Sequence, residues 1–315
     1  MRGMKELDPA DLLALALVPG AGHRAVARAI HLARNLGVPL SELAGRPLRD
    51  LLDLCPAGSQ PIAEHLAACT PRVHARACRL LDKAEASGIR PVLPGSREYP
   101  LALRIALGSA APNLLFIHGV GSLLARPAAG IVGTRAPSTA GVRWAKACAG
   151  RFAEAGIPVV SGGAQGVDTA AHRAALRRRG ETIVVLPQGL LSCTIPRLYR
   201  AAAAEGRAVL LSEFPPKAPW QAHAAITRNA TISALARLVC VIEPRKTGGS
   251  MCTARHALGQ GKPVFFAGLG RGAHLLRSYP GAASLLGGDG YLCTETLMEA
   301  WARPAAAVPR QSRLC

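Results

Sequence analysis

The sequence predicts an α/β fold: a doubly wound, mostly parallel Rossmann-like sheet preceded by a small all-helical domain. Two patterns and one total predict it. Apolar residues recur at helical spacing over residues 1 to about 90, and from about residue 112 short apolar runs alternate with longer helical segments. Half of the 315 residues are apolar, enough to bury one large core and a small one, and too many for a disordered chain.

In the leading segment the helical spacing runs through Leu12, Leu13, Leu15 and Leu17, then Val26, Ile30 and Leu32, then Leu48, Leu51, Leu52 and Leu54. Between the first two helices stands Val18-Pro19-Gly20-Ala21-Gly22. It reads either as a helix-hairpin-helix turn, whose glycines present backbone N–H groups to a phosphate, or as an ordinary turn punctuated by glycine. Residues 91–112, with Pro91, Pro94, Gly95, Pro100 and Pro112, read as a loop-rich junction. Strands are predicted over Leu114–Ile117, Gly130–Val132, Ile157–Val160, Thr182–Leu186, Ala208–Leu211, Leu238–Ile242 and Pro263–Phe266. Helices are predicted between them over Thr139–Ala155, Val167–Arg178, Arg197–Ala204, Ile226–Leu235 and Met251–Gln260. Continuous apolar strands alternating with helices require a parallel sheet covered on both faces. The expected division is 1–90 for a helical domain of helix-hairpin-helix or SAM-like type and 91–300 for an extended Rossmann-like domain. Residues 301–315 are expected as a loose tail, with no winged-helix domain.

The net charge is +19. An excess of this size fits a polyanionic partner, because each neutralised phosphate releases counterions. Only six of the 38 basic residues are lysines, so an arginine-rich composition spread over solvated faces also accounts for it. No apolar run reaches the roughly 20 residues of a membrane-spanning helix, and the N-terminus lacks the ordered regions of a secretory signal. A cytoplasmic protein with no membrane partner is expected. The nine cysteines form no C-x-x-C pair and no cluster with zinc-ligand spacing, so they are expected to be reduced and structural, with no metal and no other cofactor.

In an open α/β sheet, ligands sit beyond the carboxyl ends of the strands. Three strand-to-helix loops are rich in small residues there. Gly133-Thr134-Arg135-Ala136-Pro137-Ser138 offers a helix N-terminus, two hydroxyls and a guanidinium suited to phosphate. Ser161-Gly162-Gly163-Ala164-Gln165-Gly166-Val167-Asp168 lets backbone approach an anion, with Asp168 placed to cap the helix and orient the loop. Lys246-Thr247-Gly248-Gly249-Ser250 follows the strand ending at Ile242. Any one of them is as readily a packing turn as a site; three on one sheet edge point to an anion site. No G-x-x-x-x-G-K-[ST] occurs and no G-x-G-x-x-G opens a helix after the first strand, which excludes a P-loop NTPase and argues against a dinucleotide dehydrogenase. Gly268-Leu269-Gly270-Arg271-Gly272 has the wrong spacing and follows the last core strand.

These motifs, in order, resemble the DprA/Smf family. The resemblance is carried by Ile131-Val132-Gly133-Thr134-Arg135 with Ser138, by Ser161 to Asp168 with Ala170, Ala171 and His172, and by Ser212-Glu213-Phe214-Pro215-Pro216. Arg228-Asn229, Glu243, Gly249-Ser250 and Thr253-Ala254 continue it, over about residues 99–268. It implies a non-enzymatic protein with an extended Rossmann fold that binds single-stranded DNA, works as a homodimer, and hands the strand to the RecA recombinase in natural transformation. By position it implies DNA contacts from Arg135, the Ser161–Gly166 loop (Ser161, Gly162, Gly163, Ala164, Gly166) and Arg228-Asn229. Gly133, Thr134, Ser138, Gly249 and Ser250 complete the expected groove, and Lys217 and Lys246 stand near basic positions of the family. The chain departs from the pattern at Ala230, where the family has a second arginine, at Ala224-Ala225-Ile226, which lacks the usual aromatic, and at Ala267-Gly268-Leu269, where the family has Val-Pro-Gly.

His172 lies four residues after Asp168, on one helix face. The pair is expected to steady the loop rather than to perform acid–base chemistry. Glu213 and Glu243 end two strands and are expected to pair with arginines. Trp144 is expected in the core; Trp220, among prolines beside Lys217, is the candidate for stacking on a base. Two other functions compete. The LOG-type nucleotide phosphoribohydrolases have similar glycine loops followed by a catalytic Glu on the next helix, whereas Ser250-Met251-Cys252-Thr253 carries no acid. A diverged nucleotide-binding sensor is supported only by the lost arginine.

Overall fold

The computed structural model describes residues 7–56, 58–268, 270–287 and 291–303. Residues 304–315, Leu269, Lys5 and Cys315 lie outside the described residues. Six helices lead: α1 (Pro9–Ala16), α2 (His23–Leu36), α3 (Leu40–Leu43), α4 (Leu48–Leu54), α5 (Gln60–Ala67) and α6 (Pro71–Glu85). Asp8 opens α1 by accepting the Ala10 N–H at 2.7 Å, and Gly37, at φ +69°, closes α2 in the left-handed conformation.

The sheet contains β1 (Ile89–Val92), β2 (Leu115–Gly119), β3 (Ala128–Gly133), β4 (Val159–Ser161), β5 (Thr182–Leu186), β6 (Ala208–Ser212), β7 (Ala236–Ile242), β8 (Val264–Ala267) and β9 (Ala282–Ser284). The intervening and following helices are α7 (Leu101–Leu107), α8 (Thr139–Glu154), α9 (Val167–Arg177), α10 (Arg197–Ala204), α11 (Ala222–Leu235), α12 (Gly249–Gly259), α13 (Arg271–Arg277) and α14 (Glu295–Ala302). The strand order is β1-β2-β6-β5-β4-β3-β7-β8-β9. Strands β3 to β9 are parallel, while β2 pairs antiparallel with β6 and with β1.

The expected doubly wound sheet behind a helical segment is present. Alternate residues feed the two faces. Ile183, Val185, Val209, Leu211, Val239 and Val241 meet α7, α11, α12 and α13 on one side. On the other, Ile131, Val159, Cys240 and Ile242 meet α8, α9 and α14. The leading helices pack on that second side: Leu12, Leu13 and Leu66 share a core with Phe116, Val184 and Leu210.

All seven predicted strands form, as β2 to β8. The stretch read as a loop-rich junction is in part regular, since it contains α7 and the second half of β1. Pro100 occupies the cap position of α7, where its missing N–H costs nothing, and Leu103 is fully buried. Pro91 is tolerated in β1 because that strand is the sheet edge. No described helix is long and apolar enough to cross a membrane, and the eight described cysteines are free thiols.

Candidate nucleic-acid interface

The winding fixes where a ligand fits. From β3 the chain moves outward through β4, β5 and β6, then returns to place β7 on the other side of β3. The helix after β3 (α8) covers one face and the helix after β7 (α12) the other, so their loops part and open a crevice at this switch point. The crevice is a cleft of about 300 Å³ at the carboxyl ends of β4, β3 and β7. All three glycine-bearing loops reach it. Three arginines, Arg135, Arg228 and Arg245, and one carboxyl, Asp168, are among its described lining residues.

Each loop is held by identifiable bonds. The loop after β3 is tied to β7 by Thr134 N–H donating to Ile242 O at 3.3 Å, and to α9 by Val167 N–H donating to Thr134 O at 3.2 Å. Thr134 is itself buried, its hydroxyl accepting from Ala136 N–H at 3.2 Å. Arg135 at the tip is exposed and makes no ion pair among the described residues. Ser138 caps α8, accepting from Gly141 N–H at 3.0 Å, and its N–H and hydroxyl both donate to Glu243.

In the loop after β4, Asp168 works from inside. Its Oδ2 accepts from Gly162 N–H at 3.2 Å and from Ala164 N–H at 3.4 Å, which curls the loop around the start of α9. Burial pushes the Asp168 carboxyl above its ordinary range, against the pull of Arg228 and those donors. The Ser161 hydroxyl is buried and donates to Ile131 O at 2.5 Å. Glycine is required at Gly162, where a Cβ would overlap the Arg228 guanidinium. It is equally required at Gly166, at φ +90°, where a Cβ would stand 2.5 Å from Thr134 O.

Arg228 comes from α11 and is buried beneath the cleft. Its Nη1 donates to Val185 O at 2.9 Å, while Nε has no partner. Burial and Arg135 lower its proton affinity, and Asp168 and Glu213 oppose them. A guanidinium carries five N–H donors, so this one is short of acceptors. Asn229 and Thr253 both donate to Gly249 O, at 3.3 and 3.1 Å, and fix the first turn of α12. That helix begins at Gly248 with no side-chain cap, leaving its first N–H groups directed at the cleft beside Ser250.

Of the residues singled out in sequence, Gly133, Thr134, Arg135, Ala164, Arg228, Asn229, Gly249 and Ser250 line this cleft. Gly162 and Gly163 line a second cleft that shares Arg135, Ala164 and Arg228 with the first. Ser138, Ser161 and Gly166 stand behind the loops as their supports. Lys217 lies apart, in a cavity of about 690 Å³ bounded by the α1–α2 turn, His23 and Glu213. Lys246 faces a neighbouring depression with Arg271. Arg245, not singled out in sequence, takes the place in the cleft; its one signal was adjacency to Lys246 in the loop after β7.

Three pairings differ from expectation. His172 does not meet Asp168 or the loop. The Thr182 hydroxyl donates to Val159 O at 2.9 Å and accepts from His172 Nδ1 at 2.6 Å, leaving Nε2 buried without a partner. Burial, with Arg228 nearby, lowers the His172 pKa to about 3, so the ring is neutral. Glu213 pairs with His23 Nε2 at 2.8 Å and with the Thr231 hydroxyl at 2.8 Å instead of with an arginine. Glu243 pairs with Ser138. Trp144 is half-buried against the core, as expected.

A family model described as DNA recombination-mediator protein A matches residues 90–285, well over half of the chain. The chain belongs to this family. Protein Smf of Escherichia coli is 40% identical over 156 residues, which are 49% of this chain and 42% of that protein. DNA processing protein DprA of Bacillus subtilis is 34% identical over 190 residues, 59% of this chain and 63% of the relative. The chain thus spans less than two thirds of the length of these curated relatives. Among solved structures, DNA processing protein A of Streptococcus pneumoniae superposes with a TM-score of 0.70 at 23% identity, over 90% of this chain and 97% of that one, and shares the fold. DNA processing protein A of Helicobacter pylori, described for its single-stranded DNA binding mode, has a TM-score of 0.56 at 25% identity, over 67% of this chain and 96% of its own.

Proposed function

We propose that this chain binds the backbone of single-stranded DNA in the switch-point cleft, without doing chemistry on it. As the family relationship suggests, it would act as a homodimer that passes the strand to the RecA recombinase during natural transformation. The observation that carries the reading is the cleft's donor surplus: Arg135 unpaired at the rim, Arg228 short of acceptors below it, and the uncapped start of α12 opposite. Arg135, Arg245, Ser250 and the Gly248–Gly249 backbone are the groups that contact phosphate. Gly133, Thr134, Ser138, Ser161 to Ala164, Gly166 and Asn229 hold those groups in place, and Lys217 and Lys246 add charge along the approach. The cleft offers little acid–base chemistry, because Asp168 is committed to two N–H groups and His172 is turned into the core.

The test is fluorescence anisotropy with a labelled oligonucleotide at rising salt. Binding should weaken steeply with salt, and Arg135→Ala should weaken it further and reduce the slope by about 0.7. Salt-insensitive or absent binding, or an Arg135→Ala protein no different from the parent, overturns the reading. Incubation with nucleoside monophosphates should release no free base; release would favour the phosphoribohydrolase instead. Sedimentation and RecA-filament nucleation on DNA coated with single-strand-binding protein test the dimer and the hand-off.

A further inference from the structure

The edge of the sheet that forms the switch-point cleft continues well beyond it. Because β2 pairs antiparallel with β6, Phe116 stands beside Ser212, and β2 begins where β6 ends. β1 pairs antiparallel with β2, Val92 beside Leu115, so β1 ends on this edge too. A groove of about 320 Å³ lies there, between α2 and the chain at Tyr99 and residues 108–113. It is four strand positions from β3 at β2 and five at β1, a distance of about 19–24 Å.

The groove carries charge of one sign. Arg34 of α2 and Arg104 of α7 line it, and no carboxylate is among its described lining residues. Arg24 and Arg28 extend the positive face along α2. With Arg34 they fall within about 120° of the helix circumference and about 15 Å of its length. All four arginines are exposed, and none makes an ion pair among the described residues. Elsewhere the chain pairs its arginines readily, Arg126 with Glu181 and Arg178 with Glu154 among them.

Nothing in α2 itself accounts for these arginines. The helix contains no acidic residue, and its buried face is formed by Val26, Ala29, Ile30, Leu32 and Ala33. Arg24 lies in the first turn, where the helix dipole disfavours a cation, and Arg24 and Arg28, four residues apart, repel each other. The helix is nevertheless fixed at the sheet edge, since Asn113 Nδ2 donates to His23 O at 3.0 Å. The cavity between this groove and the β5 side of the sheet is lined by Arg76 and Lys217. Its one carboxylate, Glu213, is taken up by His23 and Thr231.

We propose that the α2 face is a second backbone site for the same DNA strand, reached once the strand has left the switch-point cleft and passed Lys217 and Arg76. The proposal rests on the reading of that cleft as the first site. An unpaired row of arginines at the end of a shared edge suits successive phosphates, and such contacts carry no sequence preference. The leading helices would thereby lengthen the footprint, and a strand that only fills the cleft would not touch them.

Labelled oligothymidylates of four and twenty nucleotides separate the two sites. The parent should bind the longer probe more tightly and with the steeper salt dependence. Replacing Arg24, Arg28 and Arg34 together by glutamine should weaken the longer probe about ten- to a hundredfold and lower its salt slope by about 2. Binding of the shorter probe should stay unchanged. Glutamine keeps the helix propensity of arginine, and the triple lysine variant, which keeps the charge, should bind as the parent does. Glutamine at Arg173, Arg177 and Arg179, exposed arginines of and just after α9, removes the same charge elsewhere and should have little effect. The second site is overturned if the α2 glutamine variant binds the longer probe as the parent does, or weakens both probes alike. A loss matched by the α9 variant, or by the lysine variant, overturns it as well. Shorter-probe binding that still depends on Arg135 would show that the cleft reading survives those outcomes. Failure of the parent to bind either probe overturns both.

Discussion

At the scale of single residues, Gly162 in the loop after β4 acts as space for a buried arginine. A methyl group at Gly162 would occupy the position of the Arg228 guanidinium. Gly162→Ala is therefore expected to displace Arg228, destabilise the fold by about 1–3 kcal/mol and weaken oligonucleotide binding; thermal melting and anisotropy read the two effects. Gly259→Ala is the control, since a Cβ there meets nothing within 4 Å. Near the C-terminal end of α12 it should be neutral or add about 0.4–1 kcal/mol. His172 gives a prediction with pH. In the folded chain its pKa is about 3, against 6.5 ordinarily. Between those values the unfolded chain binds more protons than the folded one, so stability from this group is present above pH 6.5 and is lost as pH falls toward 3. Urea midpoints over that window should fall with acid in the parent and less steeply in His172→Gln. Equal slopes in the two proteins would refute the buried neutral ring.

At the scale of elements, the cleft depends on a tie between two loops that sequence alone does not reveal. Glu243 sits at φ +47°, an uncommon conformation for a residue with a side chain, and takes both the N–H and the hydroxyl of Ser138. It thereby links the end of β7 to the start of α8 across the switch point. Glu243→Ala should cost about 0.5–1.5 kcal/mol, because water can reach the Ser138 donors it releases, and should weaken DNA binding through a looser Arg135 loop; hydrogen exchange over residues 134–141 should rise. The parallel strands were legible because, covered on both faces, they are continuous apolar runs; β5 and α10 match their predicted limits end to end. The edge strands were not. In β1 a proline interrupts Ile-Arg-Pro-Val, and β9 is Ala-Ala-Ser, so neither carries the apolar run that marks a buried strand. The convergence of the three loops was legible too, because it follows from strand-then-helix order. Which cation reaches the cleft was not, because Arg245 and Lys246 are neighbours in a loop whose direction depends on Glu243.

At the scale of the whole molecule, the leading helices are joined to the sheet by one continuous core and by polar bonds buried beside it. Leu12, Leu13 and Leu66 pack in the same cluster as Phe116 and Leu210. His23, at the start of α2, bonds Glu213 at the end of β6, and its carbonyl accepts from Asn113 Nδ2 at 3.0 Å. Glu213 is 2% exposed at its side chain, and its hydrogen bonds to His23 and Thr231, with the Arg228 charge nearby, compensate its removal from water. Two consequences follow for unfolding. The helical segment should not melt apart from the sheet, because parting them would uncover apolar surface on both and leave Glu213 with one partner. His23→Ala should then lower the stability of the whole chain by about 1–3 kcal/mol, and Glu213→Gln in that background should recover part of the loss by removing the uncompensated charge. Differential scanning calorimetry distinguishes the cases: one transition that moves as a unit agrees with a shared core, whereas a separate low-temperature transition, moved alone by His23→Ala, would mean that the helices fold on their own.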